Sequence, residues 1–119
     1  MKRKPAQFLT DIILGIEKIN TYVGAMTYAE FVRDDKTADA VIRKLEIIGE
    51  AAKNLPAKLR KHYPEVPWAD MSGLRDKIAH FYFGIDYKIV WDVVKKQLPL
   101  LKPRIEKILK ELKGESLFE

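Results

Sequence analysis

The chain contains no cysteine among its 119 residues. That excludes disulfides, thiolate metal sites and a cysteine nucleophile. It fits a reducing cytoplasm. There are only two histidines, His62 and His80, too few for a histidine-rich zinc site. No stretch approaches the ~18 apolar residues of a membrane span. The start, Met1-Lys2-Arg3-Lys4-Pro5, is basic, but no long apolar run follows it as in a signal peptide. There is no Gly-rich phosphate loop and no Gly-x-Ser-x-Gly. Internal repeats and low-complexity segments are absent too.

What the chain does have is a core and a positive charge. Hydrophobic residues make up 47% of it, enough to bury one domain's interior. The net charge of +5 favours an anionic partner such as nucleic acid, although the basic residues are spread along the chain.

Apolar positions recur at three- and four-residue spacing, so the chain reads as helical throughout. Phe8, Leu9, Ile12, Ile13, Ile16, Ile19 and Val23 predict a helix over about 6–23, ended by Gly24. Thr27 and Glu30 form a capping box for a short turn over 28–33. Asp34-Asp35 caps a helix over about 36–54 with the stripe Val41, Leu45, Ile48, Ala52 and Leu55. Gly49 inside that helix costs about 1 kcal/mol against alanine, a cost that makes sense if another backbone comes close. Ile47 and Ala51 lie off the stripe, as on a helix between its own core and a partner. Pro56 opens a short helix to about Lys61, at the first-turn position. Residues 63–68 form a loop held by Pro64 and Pro67, with Tyr63 and Trp68 as anchors. A helix over about 68–82 follows, ended by Phe83-Gly84. Asp86 caps the last helix, about 87–112, with Pro99 and Pro103 giving a kink or break near 95–103. The expectation is an all-α four-helix bundle with short extra helices and a kinked C-terminal helix. It is one domain over 1–119, with its core at about 6–112 and a flexible tail over 113–119.

One stretch concentrates reactive groups: Gly73-Leu74-Arg75-Asp76-Lys77-Ile78-Ala79-His80-Phe81-Tyr82. At about 100° per residue, Leu74, Ile78 and Phe81 form an apolar stripe within about 60°. Tyr82, Arg75, Ala79, Asp76 and His80 spread over about 160° on the other side. Asp76 and His80, four apart, meet on one face, where a carboxylate favours the imidazolium and orients the ring. Such a histidine exchanges protons near neutral pH; an ordinary surface pair is the plainer alternative. Arg75 is a phosphate or carboxylate clamp, or else a surface ion pair of about 0–1 kcal/mol. Tyr82 is otherwise a half-buried aromatic. Arg75 and His80 point about 140° apart, so one helix does not bring them together. Two-fold pairing of this face with a second copy would. Elsewhere, His62 reads as a surface residue. Glu46 and Glu50 read as partners of Arg43 and Lys53, and Lys58, Arg60 and Lys61 as a solvated face.

Arg75, four residues, His80, one residue, Tyr82 resembles the signature of the HepT-like branch of the HEPN superfamily. The flanks share the resemblance: residues 40–53, Pro67-Trp68, His80-Phe81-Tyr82-Phe83-Gly84 and Val90-Trp91. It covers about residues 8–110. The resemblance implies an α-helical bundle that pairs as a homodimer through the motif-bearing region. It implies a metal-independent endoribonuclease, with no cofactor, acting as the toxin of a prokaryotic toxin–antitoxin pair. Arg75 would then hold the scissile phosphate and His80 transfer protons. Asp76, standing where the branch often has asparagine, would orient the histidine. Tyr82 would accept AMP from a minimal nucleotidyltransferase antitoxin. The alternative is a catalytically idle helical adaptor that binds the nucleotidyltransferase or a nucleotide.

Overall fold

The computed structural model describes residues 3–78 and 86–116, and for residues 75, 115 and 116 the backbone alone. Helix α1 spans Pro5–Val23 and α2 Tyr28–Arg33. Helix α3 spans Asp35–Lys53 and α4 Ala57–His62. Two short helices follow, α5 over Trp68–Ser72 and α6 over Leu74–Ile78. Helix α7, Tyr87–Asp92, runs through a π-helical turn at Val93–Gln97 into α8, Leu98–Ser116. The described residues contain no strand, so the all-α reading holds. None of the described helices is long and apolar enough to cross a membrane.

The apolar stripes build the core. Helix α1 packs along α3 and α8, and α3 also carries α5 and α6. The stripe residues Leu9, Ile12, Ile16 and Ile19 of α1 meet Val41, Leu45 and Ile48 of α3, all essentially inaccessible to solvent. Ile105 and Ile108 of α8 join the same core. Each such side chain contributes roughly 1.5–3 kcal/mol through burial.

Caps set the boundaries. Gly24 ends α1 with φ at 52°, a conformation that disfavours side chains. Thr27 Oγ1 accepts from the Glu30 N–H at 3.2 Å, while the Thr27 N–H donates to Glu30 Oε1 at 3.1 Å. Asp34 accepts from the Thr37 N–H at 3.0 Å and Asp86 from the Ile89 N–H at 3.2 Å. The backbone N–H of Thr27 holds Glu30 below its ordinary pKa, and that of Thr37 does the same for Asp34.

Four boundaries differ from the sequence reading. Pro56 is the residue before α4 and not in its first turn. The helix expected over 68–82 is divided at Gly73 into α5 and α6; residues 79–82 of that expectation, and its Phe83-Gly84 terminus, lie outside the described residues. Pro99 produces a π-helical turn: the Leu98 N–H reaches back to the Val93 carbonyl. A proline ring crowds the carbonyl four residues earlier, and the wider turn relieves that crowding. Pro103 lies within α8. That helix continues through Gly114 to Ser116, past the residue where a flexible tail was expected; residues 117–119 lie outside the described set.

Gly49 answers the question its helix position raises. A Cβ there would sit 2.7 Å from the Met71 carbonyl oxygen of α5, closer than non-bonded atoms tolerate. Helix α5 therefore rests backbone-to-backbone on α3. Replacing Gly49 with alanine is expected to destabilise the protein by about 1–3 kcal/mol, because the added methyl has no room. Gly114→Ala, with open space around it, should be neutral or stabilising by up to about 1 kcal/mol. Urea unfolding of the two variants checks this; equal effects would contradict the close packing.

Candidate functional site

The described start of the stretch that carries the reactive groups, residues 73–78, is held from three sides. Before it, the 63–68 loop is fixed at both aromatic ends. Tyr63 Oη donates to Glu111 Oε2 of α8 at 2.6 Å, and Trp68 Nε1–H donates to the Tyr63 carbonyl at 2.9 Å. Arg104 of α8 donates to the Glu65 carbonyl at 3.0 Å. Beneath it, Met71 sits on Gly49. A Cβ on that glycine would also come within 3.9 Å of Leu74 Cβ. After it, α6 packs against α7.

Gly73 makes the turn between α5 and α6. Its N–H donates to the Ala69 carbonyl and its own carbonyl accepts from the Lys77 N–H, both at 3.0 Å. The second bond starts α6, and neither backbone group is left unpaired.

Helix α6 then divides as its sequence predicts. Leu74 and Ile78 are 5% and 2% exposed and join the core, while Asp76 and Lys77 face solvent. Asp76 lies about 160° around the helix from Leu74. Of the four candidate residues, the structure thus places Asp76 on an open face, and the backbone of Arg75 beside it. The Arg75 side chain, His80 and Tyr82 lie outside the described residues. Ile78 before residues 79–85 and Val90 after them are buried in one core.

Other candidates fall into place. His62 is exposed, with its ring edge-on to Tyr63 at 4.9 Å. Arg43 approaches Glu46 at 3.9 Å. Ala51, read as off the core stripe, is 4% exposed and belongs to the core, whereas Ile47 is half-buried. Ile47 lines a groove of about 360 Å³ between α1 and α3. Asp11, Glu46 and Glu50 share that groove with Arg3 and Arg43. The mixture of signs makes it a poor cradle for a polyanion. Sequence periodicity missed a cluster beside α6: Tyr28 and Phe31 of α2 meet Tyr87 and Trp91 of α7. These residues are far apart in the chain, and only the fold joins them.

If the two faces of α6 do different jobs, their variants should separate. Ile78→Ala is expected to cost about 2–5 kcal/mol of stability. Asp76→Ala should leave the unfolding midpoint nearly unchanged. Thermal denaturation of both checks it, and a comparable loss in Asp76→Ala would refute the division.

Comparison with known proteins gives a consistent result. The family model described as Ribonuclease HepT-like matches residues 12–108. A Methanocaldococcus jannaschii protein whose name provisionally makes it an RNase is 47% identical over 114 residues, covering 96% of this chain and 94% of its own. A Thermococcus cleftensis protein named "Probable ribonuclease HepT" is 44% identical over 110 residues, 92% of this chain and 100% of its own. A Caldanaerobacter subterraneus protein, also provisionally named an RNase, is 38% identical over 111 residues, 93% and 99% of the two chains. No solved structure matches the chain significantly.

Proposed function

The chain belongs to the ribonuclease HepT-like family, and on that premise we propose that it is a metal-independent endoribonuclease whose site is completed by pairing two copies. The observation that carries this reading is the Arg75-x4-His80-x-Tyr82 motif inside a family match over residues 12–108. The division of α6 into a core face and an open charged face supports it.

The chemistry is transfer to a neighbouring hydroxyl. The 2′-OH of RNA attacks the adjacent phosphorus, forming the 2′,3′-cyclic phosphate, while the 5′-oxygen departs. DNA lacks that nucleophile. His80 takes the 2′-OH proton, and His80 of the second copy gives a proton to the leaving 5′-oxygen. Arg75 grips the non-bridging phosphate oxygens through its fork of donors. Asp76 orients the imidazole. Because the nucleophile belongs to the substrate, positioning and proton transfer do the work, and no metal-bound water is required.

The same reading makes the protein the toxin of a cytoplasmic toxin–antitoxin pair. A minimal nucleotidyltransferase would silence it: Tyr82 Oη attacks the α-phosphorus of ATP, pyrophosphate leaves, and AMP remains on the tyrosine. That anion would compete with RNA phosphate for Arg75 and obstruct the cleft between copies.

Purified protein in EDTA should cleave cellular RNA to 2′,3′-cyclic phosphate and 5′-OH ends. Arg75→Ala and His80→Ala should lose at least about 100-fold in rate. Absence of cleavage by folded, AMP-free wild type would favour the idle adaptor, and equal cleavage by wild type and His80→Ala would move the site elsewhere. Tyr82→Phe should still cleave but resist silencing by the nucleotidyltransferase; mass spectrometry for added AMP reads this out. Silencing of that variant with AMP attached elsewhere would remove Tyr82 from the scheme.

A further inference from the structure

The cluster of α2 and α7 forms a surface as well as a packing contact. Phe31 is wholly buried and anchors it, with its ring centroid 5.2 Å from that of Trp91. Tyr28 meets Trp91 edge-on at 5.8 Å and is 38% exposed, which is high for a large aromatic. Lysines cover the outer side. Lys88 Nζ lies 5.7 Å from the Tyr28 ring centre and Lys95 Nζ 5.2 Å from that of Trp91. Both lysines are exposed. Lys88, Trp91 and Lys95 recur at three- and four-residue spacing, so one helix face carries cation, aromatic, cation.

Cation–aromatic pairs of this kind also occur as simple surface packing. Two observations point to a ligand. The nearby carboxylates are already engaged, Glu30 by Thr27 and Asp92 by Lys96 at 3.9 Å. That leaves Lys88 and Lys95 without a salt bridge among the described residues. The patch is also close to the proposed site by chain length alone. Lys88 follows Tyr82 by six positions, a reach of at most about 21 Å.

We propose that Tyr28, Trp91, Lys88 and Lys95 form a stacking platform for the single-stranded RNA that flanks the scissile phosphate. This rests on the ribonuclease reading above. The exposed Tyr28 ring takes any base once Lys88 and Lys95 swing from the rings to the phosphates. The platform therefore adds grip without strict sequence preference. Its occupant is RNA, in keeping with two lysines that have no carboxylate partner among the described residues and the net charge of +5.

The test uses a single-stranded RNA that the wild type cuts, and the dinucleotide of its scissile step, which is too short to reach the patch. Tyr28→Ala and the double variant Lys88→Gln/Lys95→Gln change exposed side chains and spare the core. Each should raise KM on the longer RNA by about tenfold with kcat and dinucleotide cleavage unchanged. The double variant should also flatten the salt dependence of KM. Equal loss on both substrates would make the cluster structural, and no loss on either would overturn the platform. So would intact cleavage combined with lost silencing, which would assign the patch to a protein partner.

Should the wild type cut no RNA, the ribonuclease reading falls. The platform is then judged by adding oligouridylate to wild type and to the same variants. The chain has two tryptophans, and Trp68 is buried with its N–H bonded, so quenching reports Trp91. Quenching that the variants lose supports the platform; its absence in the wild type overturns it.

Discussion

A single backbone contact organises the reactive end of this molecule. Where Met71 crosses α3, only a hydrogen at position 49 leaves room for its carbonyl. The contact sets how close α5 lies to α3, and so where the turn at Gly73 launches α6. Leu74 and Ile78 then plug into the core that α1 and α3 build between them. Helix α7 packs against α6. Interiors are packed like crystals, so a displacement at Gly49 would pass directly to the segment that bears the motif.

This rigidity suits the proposed chemistry. A ribonuclease that uses the substrate's own hydroxyl asks little of the protein beyond placement of a few groups, and small misplacements are costly. The same helix that supplies two core residues turns Asp76 and Lys77 toward solvent. On the proposed reading, stability and function occupy opposite faces of α6, and the charged face would serve RNA and a second copy.

Much of the fold was legible because the signals were local. Apolar stripes and N-terminal caps locate α1, α2 and α3 to within a residue or two. Gly49 also announced itself, since a glycine inside a strong helix needs a reason. The break at Gly73 was not legible: the apolar stripe of Leu74, Ile78 and Phe81 continues whichever way α5 points, and the turn follows from contact with α3. Helix α8 also runs on through Gly114 to Ser116, where a flexible tail was expected. The π-helical turn refines an expected kink. The candidate site was named through the motif's resemblance to a family; spacing alone left surface pairs as good an explanation. The aromatic patch escaped notice because Tyr28 and Trp91 meet only after folding.

The central claim is that one site uses His80 from both copies. Mixing wild-type protein with His80→Ala in known proportions, with time for subunits to exchange, tests it most directly. If both histidines serve one site, mixed dimers are inactive, and an equal mixture of freely exchanging subunits keeps about a quarter of the wild-type activity. About half would remain if each copy worked alone, and that result would contradict the account.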